Sequence, residues 1–218
     1  PTPNLTKDFI MPAVFLTSDT HFGHTGVCRF TNSDGSKMRP WTDPDEMDEE
    51  MVKRWNETVK PTDKVYHLGD VVINRKAMGI MRRLNGDKVL IRGNHDIFKD
   101  EDYRAVGFEQ MHGVRVFVDK FILSHIPLHP DCVTERFKVN VHGHLHANEV
   151  KMPWGVNADR NEIIYADFPD PRYLCVCVEQ TDFTPLHFDE VEERIQQRWK
   201  DTGYTGPVKA WGNGSGPN

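Results

Sequence analysis

Apolar and polar positions fall into short blocks along the first half of the chain. Ala13-Val14-Phe15-Leu16 is apolar and closes on Thr17-Ser18-Asp19, the pattern of a short buried strand. Met47, Met51, Trp55 and Val59 then recur every four residues, with acids early and Lys53 and Arg54 later. That spacing predicts a helix from Asp45, ended by Pro61. Residues 64–70 read as a second strand, 75–84 as a short helix stopped by Asn85-Gly86, and 88–93 as a third strand. Strand alternating with helix predicts an α/β architecture with right-handed crossovers.

The second half changes character. Residues 114–118 and 121–124, joined by Asp119-Lys120, predict a hairpin, and 138–141 and 173–178 predict two more strands. Residues 22–43 and 147–171 show no period and carry Gly, Pro, Asn and Asp, so both are expected to be irregular. A last helix is expected over 189–199, with Val191, Ile195 and Trp199 on one face. Gly203, Gly206, Pro207 and the final Gly-Asn-Gly-Ser-Gly-Pro-Asn follow it. The expected organisation is one domain over residues 1–200 and a flexible Gly/Asn/Pro-rich tail over 201–218.

Composition narrows the classes. An apolar fraction of 38% over 218 residues supports a core and argues against disorder. The apolar runs are short, such as Val71-Val72-Ile73, so no membrane span is expected. A net charge of −6 argues against coating nucleic acid by bulk electrostatics, though not against holding a nucleic-acid end in a metal site. Cysteines at 28, 132, 175 and 177 are too few for a disulfide framework. Cys175 and Cys177 are expected as buried thiols, because no second pair completes a zinc site. The first four residues, Pro1 to Asn4, show no basic stretch before an apolar run, and the expected location is the cytoplasm.

The chemistry gathers at strand ends. Asp19-Thr20-His21 follows the first strand, Gly69-Asp70 the second and Gly93-Asn94-His95-Asp96 the third. His125 follows the hairpin, and Gly143-His144-Leu145-His146 the next strand. Ligands in α/β folds bind outside the carboxyl ends of strands. The oxygen and imidazole donors suit Mn, Fe, Zn or Co. His142, His144 and His146 alternate, so spacing alone does not choose between them.

Taken in order, these blocks resemble the calcineurin-like metallophosphoesterases over about residues 14–146. Thr17-Ser18-Asp19-Thr20-His21-Phe22-Gly23-His24, Arg54-Trp55-Asn56 and Leu68-Gly69-Asp70 are similar to the small stand-alone phosphoesterases of bacteria and their phages. The resemblance implies a four-layer αββα sandwich of two mixed sheets packed face to face, with flanking helices. It implies two divalent cations, manganese first, with Fe, Zn, Ni or Co as alternatives. By motif position, Asp19, His21 and His146 hold one, Asn94, His125 and His144 the other, and Asp70 bridges both. The Gly143 anchor selects His144 and His146 and leaves His142 structural. The resemblance further implies in-line attack on phosphorus by a metal-bridging hydroxide, with His95 expected as general acid and Asp96 expected to orient or charge-tune it.

The expected activity is a phosphodiesterase acting on small cyclic-nucleotide or nucleotide-derived diesters, in a bacterial cell or encoded by a phage. The rivals are a nuclease or phosphomonoesterase with the same centre, or a non-catalytic binding module of the same fold. Candidate substrate contacts are His24, Arg29, Arg39 and Asn56, since arginine suits bidentate phosphate capture. A nuclease needs a basic track, for which Arg75, Lys76, Arg82, Arg83 and Lys88 are the candidates. A small phosphoester is the expected partner, with nucleic acid second, no membrane, and the oligomeric state left open.

Overall fold

The structure, a computed structural model, describes residues 11–117 and 119–207, and every side chain among them except that of Trp154. The strand ending at Thr17 is β1 (Val14–Thr17), and β2 (Lys64–His67), β3 (Asp87–Ile91) and β4 (Phe108–His112) lie parallel beside it. A short antiparallel β11 (Leu186–His187) completes this sheet on the far side of β1. The second sheet has the order β10–β7–β6–β5, built from β5 (Val114–Phe117), β6 (Phe121–Ser124), β7 (Val139–His142) and β10 (Tyr173–Cys175). β5 is antiparallel to β6, and the remaining pairs are parallel.

The period of two decides what each sheet faces. Leu16, Tyr66, Val89 and Ile91 meet Phe121, Leu123, Val139 and Val141 in the core between the two sheets. Phe15, Val65 and Leu90 point the other way, into a second core built on α1 (Pro44–Thr58). α1 buries Met47, Met51 and Trp55 of the expected row, with Val52 beside them, and the row's last member, Val59, is buried at the C-cap. Asp43 caps it, its side chain accepting from Asp45 N. The last helix, α3 (Phe188–Thr202), sends Val191 and Ile195 into the inter-sheet core. The result is two mixed sheets packed face to face, with few helices around them.

Several expectations are corrected. The short helix over 75–84 is a 3₁₀ helix, Ala77–Arg83. Gly79 weakens an α-helix there, and apolar Met78, Met81 and Leu84 recur every third residue, the 3₁₀ period. The 147–171 segment is not irregular: β8 (Lys151–Asn157) and β9 (Glu162–Pro169) form an antiparallel hairpin. Its signal is hidden by Pro153 and Gly155, where the register shifts. A short α2 (Asp100–Arg104), β4 and β11 were not read from the sequence either.

α3 runs two residues past the expected boundary at 200, to Thr202, and Gly203 ends it in a left-handed conformation (φ 66°). The expected tail beyond 207, the first ten residues and Val118 lie outside the described residues. Among the described residues no helix is long and apolar enough to cross a membrane. All four cysteines are free thiols, and only Cys132 is exposed.

Candidate metal centre

Both sheets turn their carboxyl ends to one rim. Asp19 and His21 follow β1, Asp70 follows β2, Asn94 follows β3, His125 follows β6, and His144 and His146 follow β7. Their side chains converge in two trios, Asp19–His21–His146 and Asp70–His125–His144, each with one donor atom per residue within 4.8 Å of the others. Asp70 stands between them: its Oδ2 is 3.6 Å from His21 Nε2 and 3.4 Å from His125 Nε2. Asn94 joins the second trio, with Oδ1 3.0 Å from His125 Nε2.

The local backbone is strained to achieve this. Asp19 (φ 58°), His21 (48°), Asp70 (56°), His144 (70°) and His146 (52°) all occupy the left-handed region, where a side chain costs energy. Hydrogen bonds between loops hold the strain, Asp19 N to Gly69 O at 2.9 Å and His21 N to Asp70 O at 3.0 Å. Two glycines make room. A Cβ on Gly93 would sit 2.2 Å from Asp70 Oδ1, and one on Gly143 would sit 2.1 Å from Ser18 Oγ.

The first trio is braced from outside. Asp19 Oδ2 accepts from Ser18 Oγ (2.6 Å), His144 N (2.8 Å) and Cys177 Sγ (3.1 Å). Its other oxygen, Oδ1, and both ring nitrogens of His21 are buried without a hydrogen-bond partner. Orphaned buried polar atoms cost about 1–3 kcal/mol each. A cation between Asp19 Oδ1, His21 Nε2 and His146 would satisfy Oδ1 and Nε2, which face each other, so the residues present fit the implied metal. Burial alone would raise the Asp19 carboxyl, but the nearby His21 ring (Nε2 3.6 Å from Oδ1) and the charges of His125 and His146 outweigh it and hold it ionised.

Glu179, absent from the sequence reading, completes that brace. Its Oε1 accepts from His146 Nδ1 (3.0 Å) and pairs with the guanidinium of Arg39 (2.7 Å). Burial would raise the Glu179 carboxyl, and His146 and Arg39 pull it down. In turn Glu179 and Asp19 lift His146 against burial. Fixing the Nδ1 proton on Glu179 leaves Nε2 free to face the trio. The signal lay in the sequence, where Glu179 follows the apolar run 174–178; in the structure the strand ends at Cys175 and Glu179 sits in a 3₁₀ turn, Val178–Gln180.

Arg39, expected as a substrate contact, is instead fully buried. Besides Glu179 it donates to the carbonyls of Asp19 (2.6 Å) and Thr20 (2.8 Å), so it anchors the β1 loop from behind. Asn56 is corrected too. Its amide donates to Arg83 O and accepts from Asn85 N, both at 2.8 Å, ahead of β3 and at the opposite end of the sheet from the metal rim. Arg29 lies exposed in a 3₁₀ turn, Val27–Arg29. His24 is half-buried, its ring 5.6 Å from that of His21, and burial with the nearby His21 lowers its pKa. The proposed basic track is only partly free: Lys76 is exposed, and Arg82, also exposed, donates to Ala105 O. Lys88 is buried on Leu84 O and Gly86 O, Arg75 pairs with Asp102, and Arg83 pairs with Glu49.

His95 is exposed at the mouth, its ring 5.5 Å from that of His21 and its N–H on Asp70 Oδ1 (2.9 Å). Asp96 does not turn to that ring. Its carboxylate accepts from the N–H groups of Asp70 (2.8 Å), Val71 (3.1 Å) and Gly93 (2.8 Å) and from the Tyr103 hydroxyl (3.2 Å). Asp96 therefore clamps the β2 and β3 loops together. His142 is buried, its Nδ1 on Gly143 O, and burial drops its pKa to about 4. A cleft of about 310 Å³ opens beside Asn94 and His125, between Arg92, Val114, Ile126 and Leu128.

Comparison with known proteins agrees with the fold. The family described as the calcineurin-like phosphoesterase superfamily domain matches residues 13–158. An uncharacterized protein of Methanocaldococcus jannaschii is 31% identical over 196 residues, covering 86% of this chain and 93% of its own. The solved structure of a protein of unknown function from Aquifex aeolicus is similar with a TM-score of 0.55 and 22% identity, over 84% of this chain and 99% of that one. That likeness bears on the fold alone. A solved archaeal phosphodiesterase scores 0.37 at 15% identity, over 70% of this chain and 98% of its own, too loose to bear on function.

Proposed function

This chain belongs to the calcineurin-like phosphoesterase superfamily, and from that premise we propose that it hydrolyses small phosphodiesters with two divalent cations. Asp19, His21 and His146 would hold one cation, Asn94, His125 and His144 the other, and Asp70 both. The observation that carries the reading is the convergence of two trios on Asp70, with Asp19 Oδ1 and both His21 nitrogens buried and unpartnered. When bound, the cations supply Lewis acidity toward phosphoryl oxygens and acidify the attacking water.

The protein's own groups do the rest. Glu179 holds the His146 Nδ1 proton, so that Nε2 presents a lone pair. Leu68 O does the same for His125 at Nδ1 (2.7 Å). His95, exposed beside His21, gives a proton to the leaving oxygen. Asp96 acts at one remove, by fixing the backbone that carries Asp70 and His95.

A diester is favoured over a monoester by charge. Arg39 is buried on Glu179, and Arg92 donates to Asp96 O and Phe98 O and pairs with Asp100. Neither arginine is left for the second negative charge of a monoester. The 310 Å³ cleft, with exposed Val114 and Ile126, suits a small organic group of the ester. A polymer is disfavoured by the internal pairing of Arg75, Arg83 and Lys88.

The test is hydrolysis of bis-p-nitrophenyl phosphate and p-nitrophenyl phosphate in parallel after loading with Mn²⁺, with Asp70→Ala as control. Preference for the diester, lost in the control, is the expected result. Equal or faster monoester turnover would overturn the diester assignment. Two bound metals with neither activity would point to a binding module.

A further inference from the structure

The large exposed apolar side chains outside the β8–β9 hairpin are Met11, Phe30, Ile97, Val114 and Ile126. All but Met11 stand by the metal rim. Val114 and Ile126 line the cleft beside His125, Ile97 N donates to His95 O (2.9 Å), and Phe30 packs on His24. The cleft offers a place for one organic group. A diester carries two.

Phe30 is held outward by its loop. The 3₁₀ turn Val27–Arg29 sends Val27 and Cys28 into the core over α1. Phe30 follows as the cap, 48% exposed, its carbonyl accepting from Met38 N (3.0 Å). Its ring meets His24 edge to face, with centroids 6.0 Å apart and planes at 77°. His24 meets His21 the same way at 5.6 Å, and His21 meets His95 at 5.5 Å. A row of rings therefore leads from His95, over the first trio, to an exposed phenyl.

Gly26 lets the His24 ring lie over this loop, since a Cβ there would come 2.6 Å from His24 Cε1. Gly26 N donates to His24 Nδ1 (2.9 Å). The neutral ring then carries its proton on Nε2, as a donor for another acceptor.

We propose that Phe30 and His24 form a subsite for a flat aromatic group of the substrate, which stacks on Phe30 while His24 Nε2 donates to a phosphoryl oxygen. The proposal rests on the phosphoesterase reading and deepens it. The two organic groups of a diester part: one enters the cleft beside Asn94 and His125, the other lies on Phe30 beside His21. Stacking on an aromatic side chain accepts a phenyl ring or a nucleobase alike.

Isothermal calorimetry on the Mn²⁺-loaded full chain tests it with methyl phosphate, phenyl phosphate and adenosine 5′-monophosphate. At least one of the two aromatic phosphates is expected to bind on the order of 10-fold tighter than methyl phosphate. Phenyl phosphate alone places the ring next to phosphorus, and the nucleotide alone places it a sugar away. Phe30→Ala should bring the three affinities together, and Phe30→Trp should keep the preference. His24→Phe keeps a ring against Phe30 and removes the donor, so all three should weaken alike, by about 10-fold.

Equal affinities in the wild type overturn the subsite. So does a preference that survives Phe30→Ala, which would seat the ring in the cleft of Val114 and Ile126. Binding unweakened by His24→Phe removes His24 from it. A chain that holds two cations and binds none of the three phosphates overturns the parent reading as well. Equal affinities leave the aryl-ester result untouched, so the two failures are told apart.

Discussion

The two halves of the candidate metal centre are built differently. In the first, the donor atoms are held from behind: Ser18, Cys177 and the His144 N–H take one oxygen of Asp19, and Glu179 takes the outer nitrogen of His146. The inner atoms are left without partners. In the second, the donors lean on one another, His125 Nε2 lying 3.0 Å from Asn94 Oδ1 and 3.3 Å from His144 Nδ1. A cation entering the first half finds Asp19 and His146 held from behind. One entering the second must first part its donors. Preorganisation thus predicts unequal affinities from similar donor sets.

The largest effect should come from the residue the halves share. Asp70→Ala is expected to lower diesterase turnover about 1,000-fold or more and to reduce the manganese count below two per chain. Atomic absorption after gel filtration checks the count independently of turnover. A variant retaining both metals would remove Asp70 from its place between the trios.

Arg39 gives the next effect. It is a buried ion-pair partner and not a substrate contact, so Arg39→Met should cost about 3 kcal/mol in urea unfolding by leaving the buried Glu179 with His146 as its one remaining partner. The substrate KM of the metal-loaded variant should barely move. A raised KM at unchanged stability would restore the substrate role expected from the sequence.

Arg39, Asn56 and Glu179 mark what a single sequence conveys and what it withholds. The strand-end rule located Asp19, Asp70, Asn94 and His125, because a short apolar run followed by polar residues is local information. The same rule applied at residue 178 points to Glu179, and only the end of the motif series at His146 hid it. Arg39 and Asn56 could not be placed that way. An arginine in a polar loop reads as solvated, and its burial follows from Glu179, 140 residues away in the chain. The β8–β9 hairpin was obscured by Pro153 and Gly155, whose local message is a loop. Asp96 was seen, but its partners are backbone groups of loops that meet only on folding.

Glu179→Gln sharpens the comparison at a smaller scale. It keeps an acceptor for Arg39 and removes the negative charge behind His146. Manganese affinity of the first half should fall about 10-fold to 100-fold, with the second half nearly unchanged. Isothermal titration resolves the two steps, and equal weakening of both would erase the distinction between the halves.

The smallest effect lies behind the His21–His24 loop. Asp48 on α1 accepts from Gly23 N at 2.9 Å, and burial lifts its carboxyl from 3.8 to about 7 in spite of that bond. Between pH 4 and 7 the folded chain therefore holds a proton that the unfolded chain has lost. Its contribution to stability is full below about 4 and disappears as pH rises to 7. Asp48→Asn should flatten that slope in urea midpoints compared with wild type. An unchanged slope would assign it to other groups.

Manganese titration of the metal-free wild type, read by isothermal calorimetry, tests the central claim most directly. Two cations per chain, the tighter one weakened selectively by Glu179→Gln, is the result the geometry predicts. Fewer than two, or two equivalent sites that respond together, would contradict a centre built from one braced and one self-paired half.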